Sequence, residues 1–209
     1  RRQRQMCIRD SLEDMRQKGE LTGLGPKLQT LQQIVGRLGD PNRVDRDLHG
    51  YSVDLRAGIP LGGKLEGKSK NRKNSKRREM LRSFRIIVCT NVMAHECPDG
   101  SCVGIVTDEA SMSTEGEAMI PIFKLLGGGK LVLIGDHHQL GPTISSRHAK
   151  AAGAGVSLFE RLFNLGTSHI MLDVQYRMHP LISYFPNGQY YEGRIQDHVS
   201  VYDLSLIHI

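Results

Sequence analysis

The chain contains no tryptophan, and aromatic residues of every kind make up 5% of its 209 positions. A core must therefore be built mainly from aliphatic side chains, and a hydrophobic content of 39% is enough for one sizeable core or part of a larger enzyme. Long apolar runs are missing as well. None approaches the roughly 18 residues that a bilayer-spanning helix needs. The opening Arg1-Arg2-Gln3-Arg4 has no apolar stretch behind it, so no signal peptide is read there. Cysteine is scarce, four in all, and no even framework of close spacings suggests disulfides. That usage points to a reducing compartment, cytoplasmic or nuclear.

Acidic residues are outnumbered: 28 Lys and Arg against 22 Asp and Glu give a net charge of +6. The excess is unevenly placed. Lys64 to Arg85 holds ten basic and two acidic residues, so this segment carries +8 and the remainder sums to -2. Such a run serves as a solvated helix face or linker, or as a contact to a nucleic-acid backbone. Both ends, residues 1–10 and 204–209, resemble translated adaptor read-through and are expected to be non-native. Four arginines and one aspartate lie in the first ten residues, which puts half of the net charge, +3, in that stretch.

Periodicity predicts a helix from Ser11 to about Leu38, with Leu28, Leu31, Ile34, Val35 and Leu38 on one apolar face. Gly39-Asp40-Pro41-Asn42 then supplies turn formers. The stretch from Asp40 to Gly67 reads as loop, and the basic segment turns helical around Ser75 to Ser83. From Arg85 the texture becomes α/β. "RIIVCT" (Arg85–Thr90), "CVGIVT" (Cys102–Thr107), "KLVLIG" (Lys130–Gly135) and "HIMLD" (His169–Asp173) are compact apolar runs, the pattern of strands covered on both faces. Between them, "STEGEAMIPIFKLL" opens on a capping-box pattern at Thr114 and Glu117. "VSLFERLFNL" places Leu158, Phe159, Leu162 and Phe163 on one helix face. Strands alternating with helices predict a parallel sheet.

Three short motifs carry chemistry. "GIVTDEAS" ends an apolar strand in Asp108-Glu109, at the strand edge where ligand sites gather in open α/β sheets. Nucleotide hydrolysis needs one carboxylate for Mg²⁺, directly or through water, and one to polarise the attacking water. Asp108 and Glu109 suit those roles, although acidic pairs at strand ends are commonly just solvated. "GDHHQLGP" follows at Gly135, where Gly135 and Gly141 allow tight turns beside a ligand. Gln139 both donates and accepts, as sensing a γ-phosphate and its water requires. His137 and His138 read as exposed loop histidines rather than metal ligands. "QYRMHP" then presents Arg177, either a planar cation for a transferring phosphoryl group or one half of a structural ion pair.

Together these motifs resemble superfamily 1 helicases of the up-frameshift and senataxin-like group. "DEAS" looks like motif II, "GDHHQLGP" like motif III and "QYRMHP" like motif IV. "SLFERL" and "YYEGRI" match the connecting segments in order, and "VCTNV" resembles the nucleic-acid-contacting motif Ic. The likeness is dense from about Arg85 to Asp203 and diffuse from Ser11 to Ser83. It implies an α/β RecA-like P-loop fold containing the second half of one RecA-like domain and the start of another. The implied divisions are a helical, basic inserted subdomain or linker (11–84), the first domain (85–174) and the start of the second (175–203). The resemblance further implies ATP and Mg²⁺ as cofactors. Glu109, Gln139 and Arg177 would be catalytic, with Asp108 on the metal through water. Gly135, Asp136, Gln175 and Tyr176 would attend the nucleotide, and Thr90 and Asn91 the nucleic acid. The implied activity is ATP-driven, 5′-to-3′ translocation on single-stranded RNA by a monomer, with RNA-surveillance or RNA-processing partners. A DNA helicase or nuclease-helicase of the same superfamily is the alternative, as is an ATPase-dead RNA-binding scaffold.

The sequence departs from the family pattern at Met112, where glutamine is usual, at Thr107, where an apolar residue is usual, and at Gly116, where proline is usual. A thioether cannot replace an amide's hydrogen bonds, so polar coupling between motifs II and III is in question at Met112.

Gly62, Gly67, Lys68 and Ser69 satisfy G-x-x-x-x-G-K-[ST], the phosphate-loop pattern. Such a loop leaves a buried strand and enters a helix that faces the phosphates. Here "DLRAGIPL" is broken by Arg56, Gly58 and Pro60, and Lys70 to Ser75 makes a poor helix start. Asp108 also follows Lys68 by only 40 positions, whereas the resemblance implies an intervening subdomain. The match therefore reads as a decoy, with the true loop expected upstream and the 209 residues by themselves not expected to hydrolyse ATP efficiently. Cys89, His95, Cys97 and Cys102 are soft ligands in one short span. They lack the paired C-x-x-C knuckle of structural zinc sites and read as a reduced loop.

Overall fold

The computed structural model describes residues 35–39, 46–57 and 67–204, without the side chains of 46–48 and 67–74. Chain contacts divide these into two compact units. The first runs to Thr107 and also takes in Gly116–Val132, and the second comprises Asp108–Glu115 and the chain from Leu133 onward.

In the first unit, strand β1 (Val35–Arg37) pairs in parallel with β2 (Ile86–Val88), Val35 opposite Ile86. The end of the expected amphipathic helix is thus a strand, and residues 11–34 lie outside the described residues. Gly36 explains the difference. A Cβ at that position would stand 2.5 Å from the Phe84 ring, so the backbone itself packs on an aromatic side chain. The stripe that included Val35 and Leu38 serves strand pairing and core burial instead, and tertiary contact overrides helical periodicity.

Helix α1 (Val53–Arg56) is capped by Ser52, and helix α2 spans Gly67–Ser83. Expected only from about Ser75, α2 begins at Gly67 because lysine and arginine are good helix formers even without an apolar face. Its last turns do bury apolar groups. Leu81 joins Leu38, Val53, Phe84 and Cys97 in one core, with Met80, Ile87, Cys89 and Met93 packed against it. Arg77 binds this core's polar edge, its Nε 2.6 Å from Asp54 Oδ1 and its Nη1 on Glu96. The contact to Asp54 is ionic without hydrogen-bond geometry. His95 lies on the surface and Cys97 in the core, so these two soft ligands point to different environments.

Strand β3 (Cys102–Thr107) occupies the stretch expected of it and pairs with β4 (Leu125–Leu133). Helix α3 (Glu115–Ile122) connects them in the chain. Strand β4 starts five residues before the expected Lys130, through Gly127-Gly128-Gly129. Covering on both faces is not supplied by the described residues, since Val103 and Val106 remain largely exposed.

In the second unit, α4 (Arg147–Ala151) and α5 (Leu158–Asn164) each start on a serine cap. Ser157 Oγ accepts from Glu160 N at 3.1 Å, satisfying one orphan donor of the first turn of α5. The apolar face of α5 packs against the short 3-10 turn Ala110–Met112. His169–Asp173 is not a strand. Ile170 and Leu172 are almost fully exposed there, and pairing begins only at β5 (Val174–Gln175). Helix α6 (Pro180–Tyr190) begins with proline in its first turn, where a missing N–H costs nothing. Strand β6 (Gln196–Asp197) then pairs in parallel with β5.

Candidate active site

Strand β3 delivers Asp108 and Glu109 at its carboxyl end. The chain must turn at once, and Glu109 does so in the left-handed region, φ 54° and ψ 39°, before the 3-10 turn Ala110–Met112. A non-glycine residue in this conformation costs about 1–2 kcal/mol and tends to occur where geometry serves function. Asp108 is exposed, and its Oδ1 accepts the Glu109 N–H at 3.0 Å.

The 3-10 turn is fixed to the segment after β4. Ala110 N donates to Ile134 O at 2.8 Å, and Asp136 N donates to the hydroxyl of Ser111 at 3.3 Å. Ser111 is buried, and Gly135 passes so close that a Cβ on it would stand 2.9 Å from Ser111 N. The coupling between the two motifs that Met112 put in question is carried by Ser111 and the backbone. Met112 itself is half exposed in the cleft.

Glu109, Met112, His138, Gln139 and Leu140 line an open cleft of about 450 Å³. Glu109 and Gln139, 30 positions apart, thus face one space. Behind Gln139 stands Asp136. Its Oδ2 accepts Gln139 Nε2 at 2.8 Å and the Tyr191 hydroxyl at 2.6 Å, and its Oδ1 accepts His138 N at 3.0 Å. Burial alone would raise the Asp136 carboxyl. The bonds from Tyr191, Gln139 and His138 outweigh it and hold the group below the ordinary carboxylate range. Tyr191, partly buried and donating to that carboxylate, is pushed up to about 12.

His137 is not an exposed loop residue. Its ring stacks on Phe163 of α5 at 4.1 Å and lies 4.0 Å from the His138 ring. Burial, and then the neighbouring His138, lower its pKa. His138 is exposed, as expected. Glu115, beside the cleft turn, receives Nε of Arg161 at 3.0 Å and a second bond from Nη2, which ties α5 to the segment leading into α3.

Gln175 organises the loop that carries Arg177. Its Oε1 accepts Arg177 N at 2.9 Å and Met178 N at 2.7 Å, while Nε2 donates to Met178 O and to Asp197 Oδ1. Hydrogen bonds from Ser183 and Gln175 lower the Asp197 pKa. Tyr176 is exposed and lies against the His198 ring at 4.4 Å. Arg177 is exposed, and among the described residues its guanidinium makes no ion pair. Thr90 and Asn91 belong to the first unit, at the start of a 3-10 turn (Val92–Glu96) where Thr90 Oγ1 accepts Met93 N at 3.4 Å.

Sequence reasoning did not single out Ser111 and Tyr191. Ser111 stood within "DEAS" and Tyr191 within "YYEGRI", but nothing local in either motif reveals a partner 25 or 55 positions away.

Parallel strand pairs with helices between them, and a cleft lined by Glu109 and Gln139, fit an α/β RecA-like P-loop fold. Two family profiles, each described as an AAA domain, match residues 60–147 and 154–207. Over 143 residues the chain is 43% identical to a regulator of nonsense transcripts 1 homolog of Arabidopsis thaliana, covering 68% of this chain and 11% of that protein. It is 40% identical over 134 residues to the ATP-dependent helicase upf1 of Schizosaccharomyces pombe, 63% of this chain and 14% of that one. It is also 42% identical over 93 residues to helicase SEN1 of Saccharomyces cerevisiae, 44% and 4% respectively. The chain belongs to the up-frameshift and senataxin-like group of superfamily 1 helicases. It spans between 11% and 14% of the length of the first relatives it matches. Among the described residues, no helix is long and apolar enough to cross a membrane.

Proposed function

We propose that this chain carries part of the ATPase centre of an RNA helicase that couples ATP hydrolysis to 5′-to-3′ movement along a single strand. The observation that carries the reading is the shared cleft of Glu109 and Gln139 at the end of β3. In this reading Glu109 is the general base. Its left-handed backbone holds the carboxylate at the cleft, where it accepts the proton of the attacking water. Gln139 orients that water, and Asp136, Gly135 and the Gln175–Tyr176 turn support the nucleotide's surroundings. The hard oxygen donors of Asp108 and Glu109 fit Mg²⁺, which keeps several waters and needs few protein ligands. Bound there through Asp108, the ion would neutralise phosphate charge. Arg177 supplies a cation to the phosphoryl group as the domains close.

RNA as the substrate is supported by relatives named as regulators of nonsense transcripts. RNA-surveillance proteins are the matching partner class, and the cytoplasm or nucleus the matching compartment. Thr90 and Asn91 are assigned to the strand contact, and the exposed basic residues of α2, among them Lys76, Arg78 and Arg82, to backbone phosphates. Residues 175–203 are assigned to the start of a second RecA-like domain.

The Gly62–Ser69 pattern is assigned no phosphate role. Residues 58–66 lie outside the described residues; ahead of them Val53–Arg56 form helix α1 rather than a strand, although α2 does begin at Gly67, in a stretch that reads as a poor helix start. Lys68→Ala should accordingly leave ATP affinity intact. The experiment that tests the function is Glu109→Gln in the full-length protein, assayed for RNA-stimulated ATP turnover and for nucleotide binding. Turnover should fall at least about a hundredfold with binding retained. Retained turnover would sink the general-base role. Stimulation by single-stranded DNA but not RNA would replace the RNA reading with the DNA one.

A further inference from the structure

We infer that Tyr191 is a positioning residue for ATP hydrolysis, acting on Gln139 through Asp136. The inference rests on the proposed role of Gln139. Its starting point is a three-residue chain of short bonds, with the Tyr191 hydroxyl and Gln139 Nε2 converging on the same oxygen, Asp136 Oδ2, at 2.6 and 2.8 Å.

Tyr191 is held firmly. It follows α6 directly, its N–H donating to Asn187 O at 3.1 Å. Glu192 and Gly193 then reverse the chain in the left-handed region, at φ 56° and 71°. Asn187 clamps the returning strand through both ends of its amide, donating to Ile195 O at 2.8 Å and accepting Ile195 N at 2.9 Å. The His138 ring meets the Tyr191 ring edge-on at 5.7 Å. The phenol is therefore presented by a packed helix end rather than by a mobile loop.

The effect on Gln139 follows from donor and acceptor arithmetic. An Asp136 carboxylate accepts and cannot donate, so it selects the NH₂ end of the Gln139 amide. With Nε2 so engaged, Oε1 is the amide atom left to accept from a water in the cleft. Tyr191 fixes the rotation of the carboxylate and hence the direction in which Gln139 presents Oε1. Without the phenol, Asp136 keeps its bond from His138 N but loses the donor that orients Oδ2. Gln139 sits exposed at the cleft and then samples other rotamers. Small misplacements of a positioning group cost rate rather than affinity.

The test uses the full-length protein with Tyr191→Phe, Gln139→Ala and the double variant. RNA-stimulated kcat is expressed per site that binds a non-hydrolysable ATP analogue, so unfolded protein lowers the site count and not the rate. Tyr191→Phe should lower kcat about tenfold, the scale of one hydrogen bond to a charged group, with KM for ATP within about twofold. The double variant should be no slower than Gln139→Ala alone. An unchanged kcat in Tyr191→Phe, beside a slow Gln139→Ala, overturns the role of Tyr191. Losses that multiply in the double variant overturn the route through Gln139. An unchanged Gln139→Ala overturns the reading of Gln139 itself, whatever Tyr191→Phe does.

Discussion

Ser111 and Asp136 are joined by a hydrogen bond from the Asp136 N–H to the Ser111 hydroxyl at 3.3 Å, across 25 positions of chain. The bond exists because Gly135 lets the two backbones approach, with its would-be Cβ 2.9 Å from Ser111 N and 3.3 Å from Ala110 N. Both neighbouring atoms are backbone, so neither yields by rotating a side chain. Gly135→Ala should cost about 1–3 kcal/mol of stability, seen as a lower chemical-denaturation midpoint. Gly116→Ala, where nothing lies within 4 Å, is the control and should be neutral or stabilising.

Glu109 stores backbone strain at the cleft. In Glu109→Gly the left-handed turn becomes unstrained, and stability should hold or rise while ATP turnover is lost. Glu109→Val places a β-branched residue at φ 54° and should destabilise by more than about 1 kcal/mol. Denaturation curves of the two variants, set beside Glu109→Gln, separate the strain from the chemistry. Equal stability of the glycine and valine variants would rule out a left-handed residue 109.

His137 makes the second unit sensitive to acid. Its folded pKa is below the ordinary 6.5, so the unfolded chain takes up a proton there more readily. The stability it contributes is present above that ordinary value and is lost as pH falls from it through the lower folded pKa. His137→Phe keeps the stack on Phe163 and removes the titration. Its melting midpoint should fall less between pH values of about 7.5 and 5 than that of the unsubstituted protein. A parallel fall in both would remove His137 as the sensor.

Arg177 is exposed on a loop whose shape Gln175 sets from within. Arg177→Ala should lower turnover by roughly a thousandfold with little change in nucleotide affinity, and Arg177→Lys should recover little of it. An affinity loss as large as the rate loss would mean that Arg177 binds the ground state instead. Gln175→Ala should reproduce part of the Arg177→Ala defect, because the loop would lose four hydrogen bonds at once.

Much of the site is legible in the chain because its chemistry is local. An apolar run ending in Asp108-Glu109 reads as a strand with an acidic tip, and β3 occupies that stretch residue for residue. "VSLFERLFNL" reads as a helix face from its spacing, and α5 forms there at Leu158–Asn164. Gln139 and Arg177 stand out by residue type within short motifs. Tertiary structure decided the rest. Val35–Arg37 fits a helical stripe, but a parallel partner at Ile86–Val88 and the Phe84 ring against Gly36 make it a strand. His169–Asp173 has the composition of a strand without a ladder to join, and pairing shifts to Val174. The tyrosine that fixes Asp136, the serine that couples the two motifs and the phenylalanine that shelters His137 are all distant in sequence. Periodicity and motif spacing report what a segment does with its own neighbours. Hydrogen bonds and ring contacts between remote segments form only when the folded chain brings them within reach, and no local pattern encodes them.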